Sequence, residues 1–255
     1  MLYLRPDFCI SFNLDYLHMA NLKNKYDFLG GEVLLFDKNL HWTSFDLVQK
    51  VRNELCRKMG IKKLKVGHAG TLDPLATGLM ILCTGKATKR IEEFQEGIKE
   101  YTATLKIGAT TPSFDMETDE DSTSDFSHVT EKNFDDACLK FIGEINQIPP
   151  VFSAVKVNGK RAFDYAREGK DLELQAKKIV IKTIETMAFE PPFAKIKVVC
   201  GKGTYIRALA RDIGKELKCG AYLTDLRRTK IGKFSVEDAS DIDFFMNNLD
   251  AFEIN

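Results

Sequence analysis

The sequence predicts an α+β fold, because strand-like and helix-like stretches interleave without the regular rhythm of a parallel βαβ sheet. Apolar residues alternate along 100–108 and again along 194–200, a pattern typical of strands with one buried face. Elsewhere apolar residues recur at helical spacing, as at Val48, Val51, Leu55 and Met59. With 255 residues and 44% hydrophobic content, the chain can bury a sizeable core as one large domain or two closely joined ones.

The first part of the chain predicts two strands and a helix. A short apolar run at 31–38 predicts a buried strand. Thr43 and Asp46 have the spacing of a capping box, so we expect a helix to begin there and to end at Gly60. The continuous apolar run at 79–83 predicts the second strand.

The rest of the chain predicts elements of both kinds. The acidic segment 113–125 has six acids and no base, so we expect a mobile surface loop, because like charges repel. Thr204 is placed to cap a helix that Gly220 closes. Further helices are expected over 87–96, 134–142 and 162–166, a bent hairpin over 148–160, and strands near 172–175, 178–188 and 194–200.

Charge is balanced overall but uneven along the chain. Basic and acidic residues each number 37, so the net charge does not indicate a nucleic-acid partner. Residues 50–65 nevertheless carry seven basic side chains against Glu54 alone. Most runs of this kind are solvated surface, but a block this uneven permits a positive groove on a neutral protein.

The cysteines and apolar runs argue against several protein classes. The six cysteines include no C-x-x-C pair and no spacing typical of a metal site, and four lie in apolar stretches that predict buried thiols. No apolar run approaches the ~18 residues of a membrane span, and the N-terminus shows no secretion signal. We therefore expect a reduced, cytoplasmic protein.

The segment 66–78 holds one carboxylate in a stretch rich in glycine and threonine, which predicts a shaped loop. Asp73 lies between Leu72 and Leu75, and Pro74 restricts its backbone to an extended conformation. An acid fixed in a partly apolar loop is suited to act as a nucleophile or general acid/base. On these residues alone, the commoner role of an Asp-Pro pair, capping a turn, stays open.

Three motifs follow one another along the chain: GHAGTLDPLATG at 67–78, then Lys99-Glu100-Tyr101, then GTYIR at 203–207. In this order they resemble the motifs of the TruB family of tRNA pseudouridine synthases, over about residues 30–240. The resemblance implies the pseudouridine-synthase fold, a mixed, mostly antiparallel sheet flanked by helices around a central catalytic cleft. It also implies an isomerase that flips uridine 55 out of the T arm of tRNA and converts it to pseudouridine.

The resemblance further implies roles for individual residues. Asp73 is expected to be the nucleophile, and Arg207 the partner that keeps it ionised through bidentate pairing. Tyr101 is expected to stack on the flipped uracil and to remove its C5 proton late in the reaction. The expected substrate-binding residues are His68, Tyr101, Tyr205, Leu226, Lys38 and Lys156.

The resemblance implies tRNA as the partner, with no cofactor, no metal and no obligatory protein partner, and we expect a monomer. Phosphates would be held by the exposed face of the lysine-rich helix, which carries Lys50, Arg57 and Lys58, and by Arg227 and Arg228.

The expected domain organisation has three parts. Residues 1–28 form an N-terminal extension, 29–240 the catalytic domain, and 241–255 a short C-terminal tail. That tail leaves no length for the RNA-binding PUA domain of many bacterial relatives.

Other functions remain open at this level. A non-catalytic module that folds tRNA could use the same pocket, and a turnover assay would separate the two. A guide-dependent synthase would need partner proteins and a C-terminal RNA-binding domain. The turn Gly201-x-Gly203 before a helix hints at a dinucleotide enzyme, but a third glycine and the acid after a second strand are missing.

Overall fold

The computed structural model describes residues 25–153, 155–157, 159–168 and 172–254. Contacts within the chain divide it into two compact units. The Asp73 unit comprises the chain up to Gln95 together with Thr229 onward, and the Arg207 unit comprises Glu96–Arg228. None of the helices in the described ranges is long and apolar enough to cross a membrane.

Strands make up most of the regular structure in these ranges. In chain order they are β1 (Lys25–Tyr26), β2 (Val33–Lys38), β3 (Val66–His68), β4 (Ala76–Thr84), β5 (Lys99–Ile107), β6 (Ala109–Thr110), β7 (Ser122–Thr123), β8 (Gly143–Gln147), β9 (Lys156–Val157), β10 (Lys160–Arg161), β11 (Lys177–Glu190), β12 (Phe193–Cys200), β13 (Ala221–Ile231), β14 (Phe234–Ser235) and β15 (Glu253–Ile254). The α-helices are α1 (Ser44–Lys58), α2 (Ile91–Glu96), α3 (Glu131–Leu139), α4 (Ala162–Arg167), α5 (Ile206–Glu216) and α6 (Ile242–Asn247). Short 3-10 turns lie at Gly85–Arg90, Val236–Asp238 and Leu249–Ala251.

The Asp73 unit is built on β4, which pairs antiparallel with both β2 and β3. Eight of the nine residues of β4 are buried, which explains why its sequence is a continuous apolar run rather than an alternating one. Its side chains Leu79, Ile81 and Cys83 form a core with Phe94 and with residues from Ile231 onward. The two chain segments of this unit therefore share one core.

The helix α1 begins as the sequence predicts. The Thr43 hydroxyl accepts from the Asp46 N–H, and the Asp46 carboxylate accepts from the Thr43 N–H, so the capping box is confirmed. Of the helical stripe, Val51 and Leu55 are fully buried. Each contributes about 1.5–3 kcal/mol to stability through burial.

An aromatic cluster joins the two ends of the described chain in the Asp73 unit. β1 pairs with β15 in parallel, and Tyr26 stacks on Phe28 with ring centroids 5.0 Å apart. Phe245 packs edge-on against Phe36 at 5.2 Å. Residues 1–24, most of the predicted N-terminal extension, lie outside the described residues, and the predicted boundaries at 28 and 240 stay predictions.

The Arg207 unit is a sheet with helices beside it. Its strands are ordered β13-β5-β12-β11-β8, and the pairings β5–β12, β12–β11 and β11–β8 are antiparallel. Alternate residues of β5 are buried and half-buried along its whole length, as the alternating sequence predicts. Antiparallel pairs predominate and the β1–β15 pair is parallel, so the predicted mixed α+β fold is confirmed.

The sequence predicts α5 but misplaces its first residue. The helix begins one residue later than predicted, with Tyr205 at the N-cap, while the Thr204 hydroxyl donates to the Gly201 carbonyl instead of capping. Gly214 permits the helix to approach the following strand, since a Cβ there would lie 2.1 Å from the backbone nitrogen of Ala221.

The strand predicted near 172–175 is wrong, because the described residues 172–176 are irregular. β11 begins only at Lys177, where its partner Gln147 on β8 becomes available.

The prediction of buried thiols is confirmed, because Cys83, Cys138, Cys200 and Cys219 are buried. Burial raises the pKa of the Cys138 thiol to about 12.

Candidate active site

The loop that carries Asp73 is shorter than the sequence predicts. Residues 66–68 and 76–78 belong to β3 and β4, which leaves 69–75 as the irregular part. The composition of 66–78 is typical of a loop, but distant strands supply the pairing, as Gly78 faces Lys38 and Gly67 faces Cys83. Gly70 lies at φ 116°, a conformation that glycine adopts without strain.

Backbone hydrogen bonds fix the loop on both sides of Asp73. The buried Ser44 hydroxyl donates to the Leu72 carbonyl at 2.9 Å and accepts from the Leu72 N–H at 2.8 Å. The Ala76 N–H donates to the Asp73 carbonyl at 3.0 Å, and the His41 N–H donates to the Pro74 carbonyl at 2.8 Å. The half-buried Asp73 side chain therefore projects from a backbone that needs little reorganisation.

Two other predicted site residues lie in the Asp73 unit. His68 is the last residue of β3, opposite Leu82, and is half-buried. Lys38 is the last residue of β2 and is 1% exposed, and its ammonium group donates to the carbonyls of Asn39 at 3.0 Å and Trp42 at 2.7 Å. Lys38 thus ties down the turn that follows β2.

In the Arg207 unit, the guanidinium of Arg207 lies inside a polar network and is 4% exposed. It donates to the Ser113 carbonyl at 3.1 Å and to the Phe152 carbonyl at 2.8 Å. Its Nε lies 3.5 Å from Oδ2 of Asp115, whose side chain is 8% exposed. The predicted inward reach of Arg207 to a carboxylate is thus realised with Asp115, and its pairing with Asp73 stays a prediction.

The acidic segment beside Arg207 corrects an expectation. Thr111, Ser113 and Asp115 are buried, and the hydroxyls of Thr111 and Ser113 both donate to the Asp115 carbonyl. The Arg211 guanidinium lies over the Phe114 ring, 4.9 Å from its centroid. The prediction of a surface loop over 113–125 is therefore wrong at 113–115, because hydroxyls and two distant arginines offset the repulsion that composition alone indicates.

Tyr205 is held in place through its backbone. The side chain of Gln147, 2% exposed, accepts from the Tyr205 N–H at 2.9 Å and donates to the Tyr205 carbonyl at 3.1 Å. Gln147 thus bonds both backbone polar groups of Tyr205, as Ser44 bonds those of Leu72. Tyr101 and Leu226, each 9% exposed, lie on the neighbouring strands β5 and β13.

Two buried cations accompany these side chains. Lys99 shares a face of β5 with Tyr101, and Arg228 shares a face of β13 with Leu226. Burial lowers the pKa of Lys99, and the nearby charge of Arg228 lowers it further. Arg228 is only 2% exposed, so the expectation that it holds a phosphate at the surface is wrong.

The predicted site residues thus fall into two sets. Asp73, His68 and Lys38 belong to the Asp73 unit. The Arg207 unit contains Tyr101, Tyr205, Arg207, Leu226 and Lys156, the last exposed on the β9–β10 hairpin.

Sequence reasoning missed Ser44, Gln147 and Asp115. For Asp115 the available signal was the hydroxyl residues around it, with Thr111 and Ser113 before it and Thr118 after it. That spacing favours local side-chain to backbone bonds over a solvated acidic run.

Two models of known protein families match this chain. The model described as "TruB family pseudouridylate synthase (N terminal domain)" matches residues 57–206. A second, "tRNA pseudouridylate synthase B C-terminal domain", matches residues 207–250. Asp73 and Tyr101 lie within the first match, and Arg207 and Leu226 lie within the second.

Similar proteins agree over most of the chain. The tRNA pseudouridine synthase B of Phocaeicola vulgatus is 60% identical over 228 residues, which is 89% of this chain and 97% of that protein. The protein of the same name from Flavobacterium johnsoniae is 50% identical over 224 residues, 88% of this chain and 98% of that protein.

Solved structures share the fold. A chain of the crystal structure of a Cbf5-Nop10-Gar1 complex gives a TM-score of 0.65 at 25% identity, over 98% of this chain and 63% of that one. A chain of an H/ACA RNP bound to a substrate RNA containing 2′-deoxyuridine gives 0.61 at 22% identity, and this chain spans 59% of it. The predicted pseudouridine-synthase fold is confirmed.

Proposed function

The chain belongs to the TruB family of pseudouridine synthases, and on that premise we propose that it isomerises uridine 55 in the T arm of tRNA to pseudouridine. The observation that carries the proposal is the fixed loop around Asp73, within the matched family region. The reaction breaks the bond between N1 of uracil and C1′ of ribose and joins C5 to C1′. N1 gains a proton and C5 loses one, so the product has the composition of the substrate.

Asp73 acts as the nucleophile. Its carboxylate is half-buried, which admits substrate while limiting competing water. The bonds from Ser44 to Leu72 hold the backbone next to Asp73, so the carboxylate meets the flipped nucleotide without loop rearrangement.

Arg207 supplies positive charge to the reaction. Two backbone carbonyls and Asp115 orient its guanidinium, so it cannot swing away as an exposed arginine would. A guanidinium beside a carboxylate favours the ionised form of that carboxylate, which is the form needed for attack. Asp115 acts through Arg207 as a positioning residue.

Apolar and aromatic side chains receive the flipped base. Removing a nucleotide from its stack costs a few kcal/mol, and each stacking contact with an aromatic side chain recovers about 1–3 kcal/mol. Tyr101 stacks on the uracil and takes the C5 proton, while Tyr205 and Leu226 complete the walls and His68 lies beside the extruded nucleotide.

Two lysines assist in different ways. Lys38 fixes the turn from Asn39 to Trp42 through its two backbone hydrogen bonds and acts on substrate binding through that turn. Lys156, exposed on its hairpin, contacts a phosphate. The proposed enzyme works in the cytoplasm as a monomer, with tRNA as its partner and without an obligatory protein partner or cofactor.

The test is to incubate the purified protein with an unmodified tRNA transcript and map pseudouridine by chemical labelling. We expect modification of uridine 55 and none in a transcript with cytidine at that position. Binding of the transcript without any pseudouridine would instead favour the non-catalytic folding module.

A further inference from the structure

A groove in the Asp73 unit collects positive side chains without acidic neighbours. It has a volume of about 750 Å³ and is lined by Arg52, Asn53 and Cys56 of α1 and by the segment 62–65, which contributes three lysines. No carboxylate lines it. Within the ranges that the structure describes, none of the four basic side chains of the groove forms an ion pair.

The other basic side chains of the same stretch each have a carboxylate partner. Glu54 pairs with Lys50 at 3.4 Å and with Arg57 at 2.8 Å. Lys58 pairs with Asp250. These are the three residues that the sequence indicated as the phosphate-binding face of the helix. The unbalanced charge lies instead in the groove, on Arg52 and the three lysines of 62–65.

The segment that carries these lysines has a fixed backbone. The Ile61 N–H donates to the Cys56 carbonyl at 3.0 Å, and the Gly85 N–H donates to the Lys65 carbonyl at 2.8 Å. Leu64 between these anchors is 5% exposed and inserts into the unit. Because the bases of the lysine side chains are fixed, a ligand orders only their flexible ends.

A second hollow continues the groove along α1. It has a volume of about 350 Å³ and shares Asn53 with the groove. Its other lining residues are His41, Trp42, Asp46, Gln49 and Lys50. Trp42 is half-buried. Cations beside an aromatic platform are the combination that binds RNA backbone and bases together.

We infer that this groove is a binding site for the phosphate backbone of RNA. Arg52, Lys62, Lys63 and Lys65 each face a phosphate along one short stretch of the substrate tRNA. The site lies directly before β3, since Lys65 precedes Val66, so RNA held there is held beside the strand that leads to the Asp73 loop. The inference rests on the proposed function for its ligand, but its test does not depend on turnover.

A membrane surface is the competing ligand for a basic patch, and the geometry disfavours it. Stable attachment to a bilayer takes a second signal beside the charges, such as apolar side chains that insert. The one large apolar side chain that lines the groove, Leu64, is buried beneath it.

The decisive variant is the double substitution Lys62→Gln/Lys63→Gln, compared with Lys58→Gln/Lys132→Gln, whose lysines pair with Asp250 and Asp136. Both pairs change the net charge equally, but only the first removes cations that lack a carboxylate partner. Binding of a tRNA transcript is titrated at several salt concentrations, in the Asp73→Asn background, so that turnover plays no part. Denaturation in urea verifies that each variant is folded.

The groove variant should weaken binding roughly tenfold near 0.1 M salt. It should also reduce the slope of log affinity against log salt by about 1.4 to 1.8, as expected for two lost phosphate contacts. The control pair should bind within about twofold of the unsubstituted protein. With Asp73 intact, the groove variant should raise KM and leave kcat unchanged, since it removes uniform binding. Lys62→Arg/Lys63→Arg keeps the charge and should leave affinity and KM close to those of the unsubstituted protein.

Three results would overturn the inference. One is unchanged affinity and salt slope in the groove variant, and another is an equal loss in the control pair, which would mean that only net charge matters. The third is loss of binding to phosphatidylserine vesicles with RNA binding intact, which would assign the groove to a membrane. A protein that binds tRNA through the groove but makes no pseudouridine would remove the proposed function and keep this inference.

Discussion

The loop of Asp73 and the surroundings of Arg207 are both fixed by buried hydrogen bonds, yet they are built from different sources. The Asp73 loop is held mainly by one hydroxyl, that of Ser44, and its own residues make up a recognisable motif. Arg207 is held by Ser113, Phe152 and Asp115, which lie 55 to 94 residues away in the chain. The first is a short loop that presents a half-buried carboxylate, held by residues of the preceding turn and of α1. The second is a network of more distant residues that buries a cation.

This difference predicts that substitutions in the two regions affect activity and stability in different proportions. A half-buried carboxylate contributes little to folding, whereas a buried ion pair that loses one partner leaves an uncompensated charge. Substitution of Asp73 should therefore lower activity without lowering stability, whereas substitutions around Arg207 should lower both.

The largest effect is expected from Asp73→Asn. The amide keeps the shape of the side chain but cannot act as a nucleophile, so kcat should fall on the order of 10⁴-fold or more. The free energy of unfolding in urea should change by no more than about 1 kcal/mol. A large loss of stability would mean that Asp73 is a structural residue and would erase the contrast with Arg207.

Arg207→Lys should come next, because a lysine cannot donate to two carbonyls and pair with Asp115 in the same fixed geometry. We expect kcat to fall about 100-fold and the free energy of unfolding to fall by about 3 kcal/mol. Steady-state kinetics and urea denaturation measure the two quantities.

The variant Asp115→Asn serves as the matched test of that network. It leaves Arg207 in place without its carboxylate, so it should reproduce the stability loss of Arg207→Lys in direction. Activity and stability both close to those of the unsubstituted protein would show that the Arg207–Asp115 pair is dispensable.

Ser44→Ala and Gln147→Leu compare the two backbone clamps at smaller scale. Each leaves an N–H and a carbonyl without their side-chain partner. At the buried Leu72 the cost should be about 1–3 kcal/mol, and at the half-buried Tyr205 it should be smaller. Loss of Ser44 should lower kcat about tenfold, because it loosens the backbone beside Asp73. Loss of Gln147 should instead raise KM, because we propose that Tyr205 contacts the base. The reverse pattern would exchange the roles assigned to the two units.

The smallest effect concerns one buried thiol in each unit. Burial raises the pKa of Cys83 to about 11 and that of Cys200 to about 11. The unfolded chain releases these protons near pH 9, so the folded state binds more protons between pH 9 and 11, and stability falls as pH rises through that window. At pH 10 each thiol accounts for about 1.4 kcal/mol.

Cys83→Ala and Cys200→Ala should therefore each flatten the loss of stability between pH 8 and 10 in urea titrations. Equal flattening would show that the cores of the two units are alike in excluding water. An unchanged slope in one variant would mean that its thiol is accessible to solvent.

The sequence predicts those features that depend on neighbours along the chain. The capping box of Thr43 and Asp46, the alternation along β5 and the apolar run of β4 are all found in the structure. Each is decided by spacing, since period and cap chemistry act over a few residues. The family motifs likewise identify the Asp73 loop, because its function depends on a contiguous string.

For features that depend on distant partners, the sequence yields no prediction or a wrong one. Asp115 is buried because an arginine 92 residues later meets it, which the composition of 113–125 does not show. The Thr204 hydroxyl bonds back to Gly201, and the Gln147 side chain accepts from the N–H of Tyr205, the residue at the N-cap. Sequence patterns report local preference, and tertiary contacts override that preference where a buried polar group needs a partner.

The most direct test of the central claim uses a T-arm stem-loop with tritium at C5 of uridine 55, incubated with excess protein. Formation of the new C5–C1′ bond expels the label, so we predict release of one tritium per RNA into water by the unsubstituted protein and none by Asp73→Asn. Full release by Asp73→Asn, or no release by the unsubstituted protein while the stem-loop is bound, would contradict the account.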